Sequence, residues 1–316
     1  MNNFEDIIKP VSREVLISEL KSAYYLRPTR IGNNEIYIFS AKECPSLMQE
    51  VGRLREITFR DVGAGFGTKV DIDHYDTEEY PCRQLIVWDP LNKEIIGGYR
   101  FNIFYDLKNK ELKDIPLLNK SLYEISDNFL SDYLPYLVEL SRAFIQPMYQ
   151  PKNVGRKAAF SLDNIWDGLG ALVVKYPFLK YYFGRLTFFS SYNSTVRDLI
   201  FYFFQKHLRG AVSLLKAKEP LSMQTKDSYL KKMINSSDEN EDYKSLQIIA
   251  KENGTIIPPL VKSYYNASSS LKVFEPVFDS YFASSYAAAI IVTIEDVYPS
   301  FVKRYIDPYK EYIRLN

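Results

Sequence analysis

The sequence predicts a domain of the α/β or α+β class, because short apolar strands alternate along it with amphipathic helices. The clearest helix spans residues 161–176, where the apolar side chains form one stripe and a proline ends the pattern. The clearest strands are the segments QLIVWDP and EIIGGYRFNIF, which a short turn joins. Together these segments favour a central sheet with helices packed against it.

The remaining elements are assigned by the same criteria. Further helices are predicted at residues 14–26, 45–61 and 194–208, and further strands at 36–41, 136–145, 181–189 and 287–297. The Gly-rich segment at residues 63–69 has no preceding strand and lacks the Lys-Ser/Thr ending of a phosphate-binding P-loop. We therefore expect a mobile substrate loop or an ordinary connection there.

Composition and charge argue against several classes of protein. Forty Lys and Arg residues against 39 Asp and Glu give a net charge of +1, which disfavours nucleic-acid binding through bulk positive charge. The N-terminal residues show no basic start and no apolar run, so we expect no signal peptide, and no apolar stretch is long enough to span a bilayer. We predict a cytoplasmic protein, with peripheral contact at the inner membrane face as an open alternative.

The cysteines and histidines indicate neither a metal site nor a covalent nucleophile. Cys44 and Cys82 have no CxxC spacing and no nearby histidine pair, which disfavours zinc and a disulfide framework. His74 lies in an acidic segment and His207 at a predicted helix end, and neither has a partner at a suitable spacing. Direct transfer between two bound substrates, without a metal, is the favoured chemistry.

Charged residues interrupt two segments that are otherwise typical of buried strands. Arg100 lies in one of them, and Glu139 and Arg142 lie in the other. Because a buried charge is costly unless it is paired, these residues indicate a structural ion-pair cluster or the wall of a ligand cleft. They belong to a series of spaced pairs: Arg55-xxx-Phe59, Asp73-xx-Asp76, Gly97-xx-Arg100 and Glu139-xx-Arg142.

In this order the spaced pairs resemble the pattern of acyl-homoserine-lactone synthases, which are GNAT-like N-acyltransferases. The segments VGRLREITFRD, KVDIDHYD, YLVELSRAFIQPMYQ and LDNIWDGLGALVVKYP are more similar to the hemolysin-like acyltransferases that make N-acyl amino-acid lipids. Among these, the chain most resembles the glycine-lipid and ornithine-lipid N-acyltransferases of Bacteroidetes type, over about residues 8–296. It departs from many relatives at Cys82-Arg83-Gln84, where they carry Cys-Asp-His, and in a pyrophosphate loop reduced to Gly155.

The resemblance implies a GNAT fold, with a mixed, twisted central sheet that is splayed at its middle and flanked by helices. It implies a single domain over residues 1–316, with an N-terminal helical extension (1–34), a polar insertion (about 209–258) and a C-terminal strand plus tail (259–316). The implied reaction is attack of a primary amine on an acyl thioester that lies in the split of the sheet.

The resemblance also implies roles for the spaced pairs. The implied catalytic residues are Glu139 and Arg142, and the implied substrate-binding residues are Arg55, Phe59, Asp73, Asp76 and Arg100. Glu139 would be the general base, because an ammonium acceptor must lose a proton before it attacks. Arg100 would hold the acceptor carboxylate, since a guanidinium matches a carboxylate with two hydrogen bonds.

Two backbone segments complete the implied site. The N–H groups near Ala143, Phe144 and Ile145 would hold the developing oxyanion. Gly155, Arg156 and Lys157 would bind the phosphate of the thioester arm through backbone donors and positive charge. Because the loop is incomplete, it favours a donor delivered by acyl carrier protein over tightly held coenzyme A.

The implied co-substrate is an acyl-phosphopantetheine, on acyl carrier protein or coenzyme A, and no permanently bound cofactor is expected. The implied acceptor is a small amino acid, glycine or ornithine, and the acyl group is long-chain, with a 3-hydroxy group as an option, as in aminolipid biosynthesis. Three alternatives stay open: an acetyl-CoA-dependent acetyltransferase of a small amine or protein lysine, a membrane-lytic hemolysin, and a binding module without catalysis. Full burial of Glu139 away from any pocket would favour the last of these.

Overall fold

The structure is a computed structural model, and it describes residues 4–107, 111–155, 158–282 and 284–316. In this part of the chain the strands are β1 (Tyr24–Pro28), β2 (Glu35–Phe39), β3 (Arg83–Asp89), β4 (Glu94–Ile103), β5 (Tyr123–Ile125), β6 (Leu137–Ile145), β7 (Tyr181–Phe188), β8 (Leu215–Ala217), β9 (Lys272–Val273), β10 (Val277–Asp279) and β11 (Ser285–Thr293). The α-helices are α1 (Arg13–Leu20), α2 (Pro45–Arg60), α3 (His74–Thr77), α4 (Pro151–Val154), α5 (Ala158–Lys175), α6 (Ser194–His207), α7 (Asp227–Met233), α8 (Glu239–Glu252), α9 (Pro259–Tyr265), α10 (Pro299–Phe301) and α11 (Asp307–Leu315). The predicted class, a sheet with flanking helices, is confirmed.

The chain divides into two compact units. The first unit comprises Met1–Pro116, Val138–Leu179 and Pro299–Asn316, and the second comprises Leu117–Leu137 and Lys180–Tyr298. The extent of a single domain over the whole chain, with its extension, insertion and tail, stays a prediction.

The first unit is built on an antiparallel sheet with the strand order β1-β2-β3-β4-β6. Helix α2 lies on one face, where its Arg55 donates to the side chain of Gln84 on β3. Helix α5 lies on the other face. Its Gly168 packs so closely against Leu85 of β3 that a side chain at this position would have no room. Gln84 and Leu85 are consecutive strand residues and so point to opposite faces. The sheet is thus covered on both sides, which explains the continuous apolar runs of β3 and β4.

The N-terminal segment contributes a strand as well as a helix. The sequence predicts one helix over residues 14–26, and this is wrong in its second half, because α1 ends at Leu20 and β1 begins at Tyr24. Tyr24 and Tyr25 are aromatic residues with a preference for strands, and the ladder with β2 satisfies the backbone there. Tertiary pairing has overridden the local helical period.

The C-terminal segment of the first unit packs against α5. Gly170 lies against the carbonyl of Tyr305, where an added Cβ atom would be 2.2 Å from the oxygen. Trp166 packs edge-on against Phe301. Asp163 accepts hydrogen bonds from the guanidinium of Arg304 and from the Tyr305 hydroxyl. These contacts fix the chain end against the helix that covers one face of the sheet.

The second unit contains the antiparallel ladders β7-β11-β10 and β5-β8, and β9 also pairs with β11. The polar stretch predicted as a surface insertion with partial helix contains β8, α7 and α8. Its helices are packed, because Leu230 and Leu246 are buried and Asp242 of α8 bonds to Lys206 and His207 of α6. In the residues that the structure describes, we find no helix with the length and apolar character to cross a membrane.

Strand β6 carries a β-bulge where it pairs with β4. Between the pairs Arg100–Ser141 and Gly98–Phe144, β4 has one residue and β6 has two. Arg142, in the bulge, has a φ of 49°, in the left-handed region that residues with side chains rarely adopt. A bulge takes its extra residue out of the ladder and re-aims the side chain. The Arg142 side chain is thereby directed independently of the regular pleat.

We expect the Gly97→Ala change to destabilise the first unit strongly. A Cβ atom on Gly97 would lie 2.3 Å from the Phe144 carbonyl oxygen, so β4 and β6 must separate at the bulge. We predict a loss of about 3 kcal/mol of unfolding free energy. The measurement is a urea titration followed by the fluorescence of Trp88 and Trp166, which both lie in this unit.

The control for this change is Gly63→Ala. Gly63 has a φ of 78° and open space around its Cα atom, so only the backbone conformation is penalised, by about 1 kcal/mol. Equal losses in the two variants would show that the close approach at Gly97 does not constrain the ladder.

Candidate active site

One face of the first unit's sheet carries a row of polar side chains. Gln84, Arg100 and Ser141 are cross-strand partners on β3, β4 and β6, so their side chains lie on the same face. Glu139 pairs with Asn102, two residues along, and points to that face too. Arg100 and Glu139 have no exposed surface. The sequence predicts buried charges at both positions, and the structure brings them together.

Asp76 is the acceptor at the centre of this row. It lies in the short helix α3, where it and the N-cap residue Asp73 form a capping box. Its carboxylate accepts from Arg55 Nη1 at 3.3 Å, from Arg100 Nη1 at 3.2 Å and from Gln84 Nε2 at 2.9 Å. The carboxylate is completely buried, so these donors replace the water that it loses.

Arg100 is held in its charged form by two carboxylates. Its Nη1 lies 2.6 Å from Asp73 and also contacts Asp76, and its Nε donates to the Ser141 hydroxyl at 3.0 Å. The guanidinium also lies over the Tyr75 ring, 5.6 Å from the centroid. Burial would lower the pKa of Arg100, but Asp76 and Asp73 outweigh it and raise the pKa above its usual value.

Arg142 and Asp73 form the edge of an ion-pair cluster, whose other members are Arg55, Asp71, Tyr75, Asp76, Gln84, Arg100 and Ser141. Arg142 Nε lies 3.0 Å from Asp71, Arg142 Nη2 lies 3.3 Å from Asp73, and the guanidinium faces the Phe66 ring at 5.1 Å. Burial lowers the pKa of Arg142, and Asp71 opposes that shift. Burial would also raise the pKa of Asp73, but Arg100 and then Arg142 reverse this and hold it below its usual range. Asp73 is therefore an anion at neutral pH.

Among the charged side chains of the cluster, that of Asp73 is the most exposed to solvent. Its side chain is 25% exposed, whereas the side chains of Arg55, Asp76 and Arg100 are fully buried. Arg142 is only 7% exposed. A ligand that approaches from solvent consequently meets an ionised carboxylate that is already flanked by two guanidinium groups. The charges at this edge are complementary to those of a small molecule that carries both an ammonium and a carboxylate.

Tyr75 and Cys82 lie within electrostatic reach of Glu139. Burial raises the pKa of Tyr75, and the charge of Glu139 adds to that effect. Burial raises the pKa of Cys82 to about 12, with Arg100 lowering it and Glu139 raising it further. Cys82 is therefore a neutral thiol near pH 7.

The other predicted site residues are placed as follows. Phe59 is buried on α2, one turn after Arg55. Ala143 lies in the bulge, and Phe144 and Ile145 pair with Gly98 and Gly97. Gly155 is exposed with a φ of 57° after α4, and its N–H donates to the Pro151 carbonyl. Arg156 and Lys157 lie outside the described residues.

Sequence reasoning did not identify four residues of the cluster: Asp71, Tyr75, Gln84 and Ser141. The position of Gln84 could have indicated a buried polar site. Gln84 begins an apolar strand, and a polar side chain in a buried strand needs a hydrogen-bond partner. Asp71 and Tyr75 lie in the quoted segment KVDIDHYD, but spacing alone could not separate them from a solvated acidic loop.

Comparisons with known proteins identify the class of protein to which this chain belongs. The family model "Acetyltransferase (GNAT) domain" matches residues 54–158, a stretch that begins just before Arg55 and includes the bulge. A glycine N(alpha)-acyltransferase of Bacteroides thetaiotaomicron is 41% identical over 293 residues, covering 93% of this chain and 87% of that protein. A second, from Phocaeicola vulgatus, is 38% identical over 305 residues, covering 96% and 94%.

Two solved structures of the CoA-dependent acyl-homoserine lactone synthase BjaI, one with MTA and one with SAM and isopentyl-CoA, are also similar. Each is 10% identical, with a TM-score of 0.37, over 88% of this chain and 90% of that chain.

The family model and the two curated relatives define a GNAT-type N-acyltransferase, and the predicted fold and enzyme class are confirmed. The chain belongs to the family of the two glycine N(alpha)-acyltransferases.

We expect Asp76→Asn to destabilise the first unit by about 3 kcal/mol, because it leaves two buried guanidinium groups without a full counter-charge. Asp61→Asn is the control, since Asp61 forms an exposed ion pair with Lys152, and such pairs contribute about 0.5 kcal/mol. Urea midpoints by tryptophan fluorescence check both values. A change at Asp76 as small as that at Asp61 would contradict the central role of this carboxylate.

Acid should remove the stabilisation that comes from Asp73. Because the folded-state pKa lies below the ordinary value of 3.8, the contribution is complete above that value. It is lost as the pH falls through the folded pKa. We therefore predict that Asp73→Asn is less stable than the wild type at pH 6 and that its urea midpoint falls less between about pH 5 and pH 2. Parallel pH curves for both proteins would contradict this prediction.

Proposed function

We propose that the chain transfers a long-chain fatty acyl group from an acyl-phosphopantetheine thioester to the α-amine of glycine. The observation that carries the proposal is the similarity to two glycine N(alpha)-acyltransferases over more than nine-tenths of the chain. In the reaction the amide C–N bond forms and the thioester C–S bond breaks. The ammonium loses two protons, of which one passes to the leaving thiolate to give the free thiol and the other passes to a base. Ornithine, which the sequence resemblance also implies, would be a competing acceptor.

The edge of the ion-pair cluster supplies groups that suit such an acceptor. The ionised Asp73 can accept from the ammonium of glycine, since it is the carboxylate of the cluster with exposed surface. Among the described residues, Arg100 Nη2 has no hydrogen-bond partner, and a guanidinium matches a carboxylate. Because Arg100 is fully buried, we propose that it reaches the glycine carboxylate through a water molecule or after a local movement of Asp73. Arg55 and Asp76 are both buried and bonded to each other, so we assign them to holding Arg100 and Asp73 in place.

Glu139 remains our proposal for the general base. Its side chain is fully buried, so direct contact with an acceptor that approaches from solvent is unfavourable in this conformation. A route through one water molecule or through Tyr75, whose pKa burial and the charge of Glu139 raise, would carry the proton inward. Arg142 at the bulge would balance the charge around Asp73 during this transfer.

The backbone of the bulge is our proposal for the thioester site. Because a bulge leaves one residue outside the ladder, the N–H groups around Ala143 are candidates to bind the carbonyl oxygen as negative charge develops. Gly155 would take the phosphate of the donor arm, although its own N–H is engaged with Pro151. The incomplete loop supports acyl carrier protein as the donor. The proposal also includes a hydroxylated acyl chain, a role in aminolipid synthesis and contact with the inner membrane face.

Glu139→Gln should lower kcat by about 10²–10⁴-fold at neutral pH, because the variant keeps the shape of the side chain but cannot take a proton. The assay is glycine acylation by the purified variant, followed by mass spectrometry of the product. Its control is the urea midpoint, which should stay close to that of the wild type if the loss is catalytic. Near-full acylation by the variant would remove Glu139 from the base role.

The substrates are tested by mixing the purified protein with acyl donors and acceptors in pairs. The donors are long-chain acyl carrier protein, long-chain acyl-CoA and acetyl-CoA, and the acceptors are glycine and ornithine. We expect N-acylglycine with the highest kcat/KM from the acyl carrier protein donor. Faster turnover with acetyl-CoA would favour an ordinary acetyltransferase, and a preference for ornithine would overturn the assignment of glycine.

A further inference from the structure

A buried carboxylate holds the Gly-rich loop at residues 63–69. Glu56 of α2 has no exposed surface, and its Oε1 accepts from the Gly67 N–H at 2.8 Å and from Arg60 Nε at 2.6 Å. Its Oε2 accepts from the Phe66 N–H at 3.2 Å. Two consecutive backbone donors of the loop thus converge on one side chain. The loop has a fixed attachment to α2, which the sequence alone did not predict.

The glycines of the loop make this attachment possible. A Cβ atom on Gly65 would lie 2.3 Å from Arg60 Cγ and 2.9 Å from Glu56 Oε1. Gly67 has a φ of 79°, and a Cβ atom there would lie 2.6 Å from the Phe4 ring. The N-terminal segment closes the other side, since the Glu5 N–H donates to the Gly67 carbonyl at 2.7 Å. The loop therefore wraps closely around Glu56.

The same loop places an aromatic ring on the edge of the ion-pair cluster. Phe66 is 41% exposed, and its ring centroid lies 5.1 Å from Cζ of Arg142. Arg142 in turn contacts Asp73, the charged side chain of the cluster that is most exposed to solvent. A continuous series of contacts leads from Glu56 through the Phe66 backbone and ring to Arg142 and Asp73.

We propose that Glu56 is a positioning residue for the acceptor site. By fixing the backbone at Phe66, it seats the ring against Arg142 and so keeps that guanidinium aligned with Asp73. This inference rests on the proposed function only in identifying the acceptor as glycine and Asp73 as its contact. Glu56 itself is buried beneath the loop and does not touch the acceptor.

The simpler alternative is that Glu56 only stabilises the fold. The two explanations differ in what a substitution changes. Loss of a purely structural contact lowers the unfolding free energy and leaves the KM for glycine unaltered in the folded protein. Loss of a positioning contact raises that KM and frees the loop, while the KM for the acyl donor stays the same.

The test variant is Glu56→Gln, and its matched control is Glu50→Gln. Glu50 lies on the same helix, is 6% exposed and accepts from Arg53 and from the Val11 N–H, so it resembles Glu56 in burial and partners. The amide that Glu56→Gln introduces can no longer accept at both of its terminal atoms, whereas the control removes the same charge away from the loop. We predict that Glu56→Gln raises the glycine KM by about tenfold and that Glu50→Gln changes it by less than about twofold.

A double-mutant cycle assigns the effect to Phe66. Phe66→Ala alone should raise the glycine KM, and adding Glu56→Gln to it should bring little further change, because both act through one contact. Hydrogen–deuterium exchange gives a readout that does not need substrate. The amides of Phe66 and Gly67 should exchange faster in Glu56→Gln than in the wild type or in Glu50→Gln.

The proposal is overturned if Glu56→Gln has the glycine KM of the control, or if the two substitutions act independently in the cycle. Unchanged exchange at Phe66 and Gly67 would likewise show that Glu56 does not fix the loop. A wild-type protein that acylates no glycine would contradict the proposed function instead. In that case the KM of the amine that the protein does accept, together with the exchange data, still decides the role of Glu56.

Discussion

The buried guanidinium of Arg100 is the constraint on which the rest of the first unit depends. A cation on an inner strand of a sheet, with no exposed surface, costs several kcal/mol unless carboxylates replace its hydration. Asp73 and Asp76, at the start of the short helix α3, supply these carboxylates, and the capping box fixes both side chains beside Arg100. The same cluster constrains the orientation of helix α2, because its Arg55 donates to Asp76 and to Gln84.

The bulge on β6 solves a second problem created by this arrangement. A regular strand would alternate its side chains, but Arg142 must reach Asp71 and Asp73 from a position next to Ser141, which also points into the cluster. The left-handed conformation of Arg142 provides that change of direction, and Gly97 of β4 allows the backbones of β4 and β6 to approach. A bulge also frees backbone donors, so one distortion of the sheet can serve the charge cluster and the proposed thioester site.

Much of the fold and the charge cluster could be predicted from the sequence, for definite physical reasons. Arg100 and Glu139 stood out because charges rarely interrupt apolar strands, and α5 was evident because its apolar stripe is long and ends at a proline. The left-handed Arg142 could not be predicted, since no glycine marks it. The strand at Tyr24 and the attachment of the Gly-rich loop to Glu56 depend on partners 10 or more residues away, and local patterns do not report them.

The central claim is that the exposed edge of the ion-pair cluster binds the amino-acid acceptor. It is tested most directly by a crystal structure of the protein with glycine and a non-reactive acyl-phosphopantetheine analogue. We predict that the glycine nitrogen lies about 3 Å from an Asp73 carboxylate oxygen and that its carboxylate meets Arg100 or Arg142. Glycine bound elsewhere, with Asp73 contacted only by the protein's own arginines, would contradict the claim.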